Sequence, residues 1–193
     1  MNFLENLSPV WQALFASLYT CFMTAAGASV IFFSDKPKKG FSVIAESSAA
    51  GIMLAASFFS LLSPAFDYPC VAVTLGFCIG GAFIVLTDRL LSRSEKRAEN
   101  GGKSGLLYTA VTLHNIPEGM AVGVIFAGMA APDGVGVAAA FALSIGIAIQ
   151  NFPEGAIISM PLRGEGMSRQ KSFLMGVLSG AVEPVAGVLT ILA

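Results

Sequence analysis

Charge is what this sequence has least of. Asp, Glu, Lys and Arg make up 12% of its 193 residues, about half of the roughly 25% usual in soluble domains. Charge-free runs cover 6–34, 47–66, 68–87 and 134–153, each near the ~20 residues a bilayer-spanning helix needs. With 55% of residues in the apolar set AVILMFWYC, a soluble globular domain is excluded. A transmembrane β-barrel is excluded as well, because its strands alternate apolar and polar residues over about 10 positions, whereas these runs are apolar all round. The chain reads as an all-α, polytopic membrane protein, a single transmembrane domain over 1–193 whose solvent is the lipid bilayer.

Other scarcities narrow the field further. Cys21, Cys70 and Cys78 are odd in number and match no CxxC spacing, which removes a disulfide framework and a thiolate metal site and leaves them as apolar packing residues. A net charge of −1 with no basic patch argues against a nucleic-acid partner. No Lys or Arg precedes Lys36, so the positive leader segment of a cleavable signal peptide is lacking, and the first apolar run is expected to remain in the mature protein.

Charge and turn residues divide the chain into six expected spans, at about 9–33, 41–62, 70–88, 105–129, 135–162 and 171–193. At ~1.5 Å per residue each can cross a ~30 Å hydrocarbon core. The connections Ser34 to Gly40, Arg89 to Ser104 and Leu162 to Lys171 hold all 11 basic residues, whereas the N-terminus, Ser63 to Pro69 and Ala130 to Gly134 hold none. The positive-inside rule then places the three basic loops in the cytoplasm and the N-terminus outside. The longest connection, 89–104, is polar, contains Asn100-Gly101-Gly102 and reads as a flexible cytoplasmic linker.

Against this apolar background a few polar residues stand out. His114-Asn115-Ile116-Pro117-Glu118-Gly119 in the fourth span is repeated 36 residues later as Gln150-Asn151-Phe152-Pro153-Glu154-Gly155 in the fifth, with Asn, Pro, Glu and Gly in register. Glu183-Pro184 adds a third carboxylate in the sixth span. Polar and ionisable groups at membrane depth are costly and mark function by default. His114 and Glu118 are i and i+4, and Asn115 and Glu118 are i and i+3, so the three share a helix face that Gln150, Asn151 and Glu154 repeat. Pro117 and Pro153 lack the N–H that would bond the carbonyls of Leu113 and Ile149, freeing these for a cation or water.

Counting ~1.5 Å per residue from the cytoplasmic ends puts Ile116 about 17 Å deep, Phe152 about 15 Å and Glu183 about 17 Å. Carboxylates, carboxamides and an imidazole meeting near the midplane are tolerated when a cation sits among them. Such a donor set, without thiolate, suits Zn²⁺, Fe²⁺ or Mn²⁺. Gly76xxxGly80, Gly119xxxGly123 and Gly176xxxGly180 are small-residue helix-packing patterns that also permit a homodimer, and Met120, Met129 and Met160 read as packing residues. Glu46 stands near enough to the second span's start to reach the cytoplasmic interface.

These motifs resemble the ZIP family of divalent-metal transporters, and their wording looks most like its GufA-like branch: HNIPEG at 114–119, QNFPEG at 150–155, SGAVEP at 179–184 and AASFFSLLSPA at 55–65. By that resemblance His114, Glu118, Gln150 and Glu154 match a primary metal site. Asn115, Asn151 and Glu183 match an adjacent second one bridged by Glu118 and Glu154, so that two ions are expected as transported substrate. Ser57, Ser60 and Ser63 fall where polar groups line the family's path. The resemblance implies zinc, iron, manganese or cadmium moving into a cytoplasm across a cell or bacterial inner membrane, as spans one, four, five and six slide against the others. It also implies eight spans where this chain ends in 188–193 after six, so the last two scaffold helices are expected to be lacking. Gln150 stands where many members carry His. Two other readings use the same residues: an intramembrane metal-dependent hydrolase, in which the ion activates water but which here has one His and no HExxH, and a metal-selective channel.

Overall fold

The computed structural model describes residues 7–33, 39–97, 103–129 and 136–193. The first helix, α1, is Pro9–Ala28 and tightens into a 3-10 turn over Ser29–Phe32. Pro9 at its first position needs no N–H partner and brings a helical φ with it. The second, α2, is Lys39–Ala56 and runs directly into a wider π-helical stretch, Ser57–Leu62, and a last turn, Ser63–Ala65. Then come α3 (Cys70–Arg97), α4 (Lys103–Gly128), α5 (Val137–Gly164), α6 (Arg169–Gly180) and α7 (Val182–Leu192).

Among the described residues five helical stretches are long and apolar enough to cross a membrane: Pro9–Phe32, Cys70–Thr87, Leu107–Gly128, Val137–Gly164 and Arg169–Leu192. The expected second span corresponds to a helix whose apolar part, Ala50–Ala65, is shorter. No strand occurs among the described residues. The connection at 130–134, and 34–38 of the first basic connection, lie outside them, as does 98–102.

One expectation needs correcting. The polar segment read as a linker over 89–104 is helical as far as Arg97, because α3 continues past its apolar part. Residues 89–97 are nearly all good helix formers (Arg, Leu, Glu, Lys) and include no Gly or Pro, so the helix has no reason to stop at the end of the apolar run.

Pro184 accounts for the division between α6 and α7. It offers no N–H to the carbonyl of Gly180 and its ring crowds that turn; the helix breaks at Ala181, whose own N–H still reaches Val177 O at 3.1 Å. At the other end of α6, Gly166 takes a positive φ of 98°, and the hydroxyl of Ser168 accepts from Lys171 N–H. This sharp turn folds α6 back along α5.

Helices α1, α4, α5, α6 and α7 form one closely packed body, α1 lying most extensively on α5 and α4 on α7. Its apolar core includes Ala13, Val122, Phe126, Leu143 and Ile147, with Phe126 and Phe141 edge to face at 5.9 Å between ring centroids. Glycine permits the close approaches. A side chain at Gly119 would strike the backbone of Glu183, one at Gly155 the backbone of Thr24, and one at Gly27 the carbonyl of Phe152. Gly123 and Gly187 lie against each other in the same α4–α7 contact.

Outside this body, α2 packs on α5, and α3 reaches the rest chiefly through α4. None of the apolar window of α3 is buried, and Gly76, Gly80 and Gly81 have nothing within 4 Å of an added Cβ. Two of the three small-residue patterns are therefore used inside the chain and the third faces outward. Cys70 and Cys78 are exposed on this same helix, so they do not pack within the chain as expected; on an exposed apolar helix a thiol serves as a small lipid-compatible side chain.

Candidate metal centre

The duplicated segments lie where α4 and α5 pass each other. His114 Nε2 stands 3.6 Å from Glu118 Oε1, one turn along α4. Glu154 joins them from α5: one ligand atom from each of His114, Glu118 and Glu154 lies within 4.8 Å of the others. Gln150, one turn before Glu154, donates its Nε2 hydrogen bond to Glu118 Oε1. Glu118, Gln150 and Glu154 are buried, while His114 is half-buried at the edge of a cavity of about 170 Å³. Met53, Ser57 and Leu61 of the second helical segment line it together with Leu143 and Ile147 of α5.

A second cluster surrounds Glu183, which is fully buried in the first turn of α7. Asn151 Nδ2 lies 2.9 Å from each of its carboxylate oxygens and 3.2 Å from the carbonyl of Thr20. The hydroxyl of Thr20 donates to Glu183 Oε2. Asn115, beside His114, turns its Nδ2 to the carbonyl of Ser179 at 2.9 Å, across the contact that Gly119 allows.

The donor chemistry of the two clusters is uneven in an informative way. Asn115 Oδ1, Glu118 Oε2, Gln150 Oε1, Asn151 Oδ1 and Glu154 Oε2 are buried and have no hydrogen-bond partner. All five belong to the repeated segments, and Ser172 Oγ is a further such oxygen outside them. A buried unsatisfied acceptor costs about 1–3 kcal/mol, more when charged, and the five together are too many to be packing defects. No Lys or Arg occurs between 104 and 162 to offset the carboxylates. The carboxylate oxygens of Glu118 and Glu154 gathered beside the His114 imidazole are the kind of ligands a divalent cation takes.

The contacts divide the seven residues singled out in the sequence. His114, Glu118, Gln150 and Glu154 meet one another, whereas Asn151 and Glu183 meet Thr20, and Asn115 meets Ser179. Ser57 lines the cavity with His114, Ser63 is exposed, and the side chains of Ser60 and Glu46 lie outside the described residues. Thr20 escaped sequence reasoning. Its signal was present: Ser17, Thr20 and Thr24 fall within about 60° of one another around a helix, and all three are fully buried.

No family model matches the chain. It is similar to the zinc transporter ZIP11 of Xenopus tropicalis, at 30% identity over 98% of this chain and 82% of that protein. It is similar also to the zinc transporter ZIP11 of Homo sapiens, at 31% identity over 96% of this chain and 81% of that protein. With the zinc transporter GufA of Myxococcus xanthus it shares 35% identity over 70% of this chain and 58% of that protein.

Proposed function

The chain belongs to the ZIP family of zinc transporters, in its GufA-like branch, and from that premise we propose that it carries Zn²⁺ or a related divalent ion into the cytoplasm through the centre built on α4, α5 and α7. It is a multi-pass membrane protein that transports metal. The hydrolase reading loses its ground, since the relatives are named as transporters.

The observation that carries the site assignment is the set of five unpartnered buried oxygens beside the His114, Glu118 and Glu154 group. A first ion takes His114, Glu118, Gln150 and Glu154. A second lies towards Glu183, Asn115 and Asn151, and the two carboxylates of Glu118 and Glu154 bridge the pair. The ion sheds water for these ligands, and its charge offsets carboxylates that have no basic partner at that depth.

The path and the movement have their own support. With the basic loops in the cytoplasm, the residues lining the cavity on α4 and α5, Ala121, Leu143 and Ile147, lie on the outer side of the motifs, so the ion enters by that cavity. The close packing of α1 and α4–α7, with α2 and α3 outside it, fits one body that slides against another and carries the site with it.

Uptake into proteoliposomes with a zinc-sensitive dye inside tests this. Saturable uptake that Glu118→Ala and Glu154→Ala each abolish is the expected result. Undiminished uptake in the double variant would sink the site assignment, and uptake linear in zinc concentration would favour a channel.

A further inference from the structure

The first helix carries no part of the repeated motif, yet it touches the metal centre at Thr20. This residue is fully buried and presents two groups to the second cluster. Its hydroxyl donates to Glu183 Oε2, and its backbone carbonyl accepts from Asn151 Nδ2. The same nitrogen holds both oxygens of Glu183. A carboxamide is planar with a donor end and an acceptor end, so fixing its nitrogen on Thr20 and Glu183 fixes the direction of Asn151 Oδ1, one of the unpartnered oxygens.

We propose that Thr20 is a positioning residue of the metal centre: it holds Glu183 and Asn151 in the orientation that turns their free lone pairs to the ion, without touching the ion itself. The inference rests on the reading of Asn151 and Glu183 as ligands given above.

Hydroxyls in apolar helices ordinarily bond back to their own backbone, as Ser17 does to Ala13 O at 2.7 Å and Thr24 to Thr20 O at 3.4 Å. Thr20 also lies in reach of its own backbone, at Ser17 O 2.8 Å away, but its hydroxyl meets in addition a carboxylate on another helix, the acceptor that charge assistance favours for its single proton. Its height against α6 and α7 is fixed from both sides. One turn below, a Cβ on Gly180 would stand 2.9 Å from the Thr24 side chain; one turn above, a Cβ on Gly187 would stand 3.5 Å from Ser17 Oγ. The two glycines seat α1 so that the hydroxyl meets Glu183.

The test compares zinc uptake by the wild-type chain, Thr20→Val, Thr20→Ser and Glu154→Ala in proteoliposomes, with KM and Vmax determined separately. Val keeps the shape of Thr and removes the hydroxyl. Losing a hydrogen bond to a charged group is expected to raise the KM for zinc about tenfold, and Ser, which restores the hydroxyl, should return it to within about twofold. If Thr20→Val fails to insert, Thr20→Ala, which adds no bulk, must show the same rise. A wild-type KM in the variants lacking the hydroxyl overturns the proposal, as does equal impairment by Ser and Val, which would make Thr20 a packing residue. Loss of uptake in Glu154→Ala beside an unchanged Thr20→Val would leave the metal centre standing and remove only the role of Thr20. Full uptake in Glu154→Ala would instead remove the site reading beneath both.

Discussion

Gln150 is where the two copies of the motif differ most in chemistry, because it holds the position that His114 occupies in the first copy. Its Nε2 is spent on Glu118, which leaves only a neutral carbonyl oxygen for an ion. Gln150→His should therefore tighten zinc binding near pH 7.5, since a neutral imidazole is the better zinc ligand. The gain should vanish as pH falls below ~6, because a protonated imidazole cannot bind metal; zinc titrations of the purified variant at the two pH values would measure it. The wild type should also bind less in acid, His114 and the carboxylates being protonated there, but with a shallower dependence. At this scale the grouping of His114, Glu118 and Glu154 was legible from the sequence: His114 and Glu118 are spaced by the helical repeat, and Glu154 holds the place of Glu118 in the repeated segment. Thr20 was legible only as one of a stripe of small polar residues with Ser17 and Thr24; its partner was not, because a hydroxyl on an apolar helix has a local acceptor by default and nothing in its own neighbourhood announces a carboxylate from residue 183.

Among the helices, glycine decides which surfaces meet. Gly155→Ala would put a methyl into the backbone of Thr24, while Gly76→Ala on α3 meets nothing. The first should lower stability by about 1–3 kcal/mol or more, and the second should be neutral or slightly stabilising through helix propensity. Thermal unfolding in detergent would show a lower midpoint for Gly155→Ala alone. The sequence marks both glycines alike, since a small residue on an apolar helix reads the same whether its neighbour is another helix or lipid. The extension of α3 to Arg97 had the opposite origin: polarity suggested a loop, but its residues individually favour helix, and propensity prevailed over the change in polarity. The break at Ala181 follows from Pro184 by the same reasoning that freed carbonyls in α4 and α5.

Taken whole, the molecule is a compact five-helix body with two helices set against it, and transport by sliding would need the α2–α5 contact to move. A Cβ on Gly146 would lie 3.9 Å from Ile52 Cγ2, an ordinary contact with no interlocking. In a chain with Cys21, Cys70 and Cys78 replaced by Ala, cysteines at Ile52 and Gly146 should therefore cross-link on oxidation and stop zinc uptake, and a reductant should restore it. Unimpaired uptake by the cross-linked protein would rule out movement at that contact. Membrane character was legible at this scale from charge alone; the separation of α2 and α3 from the five-helix body was not, because apolar helices facing protein and facing lipid have the same composition. The unpartnered oxygens of the repeated segments reach beyond transport. Whatever fills them is bound by the folded chain and not by the unfolded one, so the cargo is also a stabiliser of the fold. Free zinc at 100 times its Kd should add about 2.7 kcal/mol, and a chelator should remove it. A melting temperature that rises with zinc and falls with the chelator would follow, and would be lost in Glu118→Ala. The cell's metal supply would then set how long the protein persists as well as how fast it works.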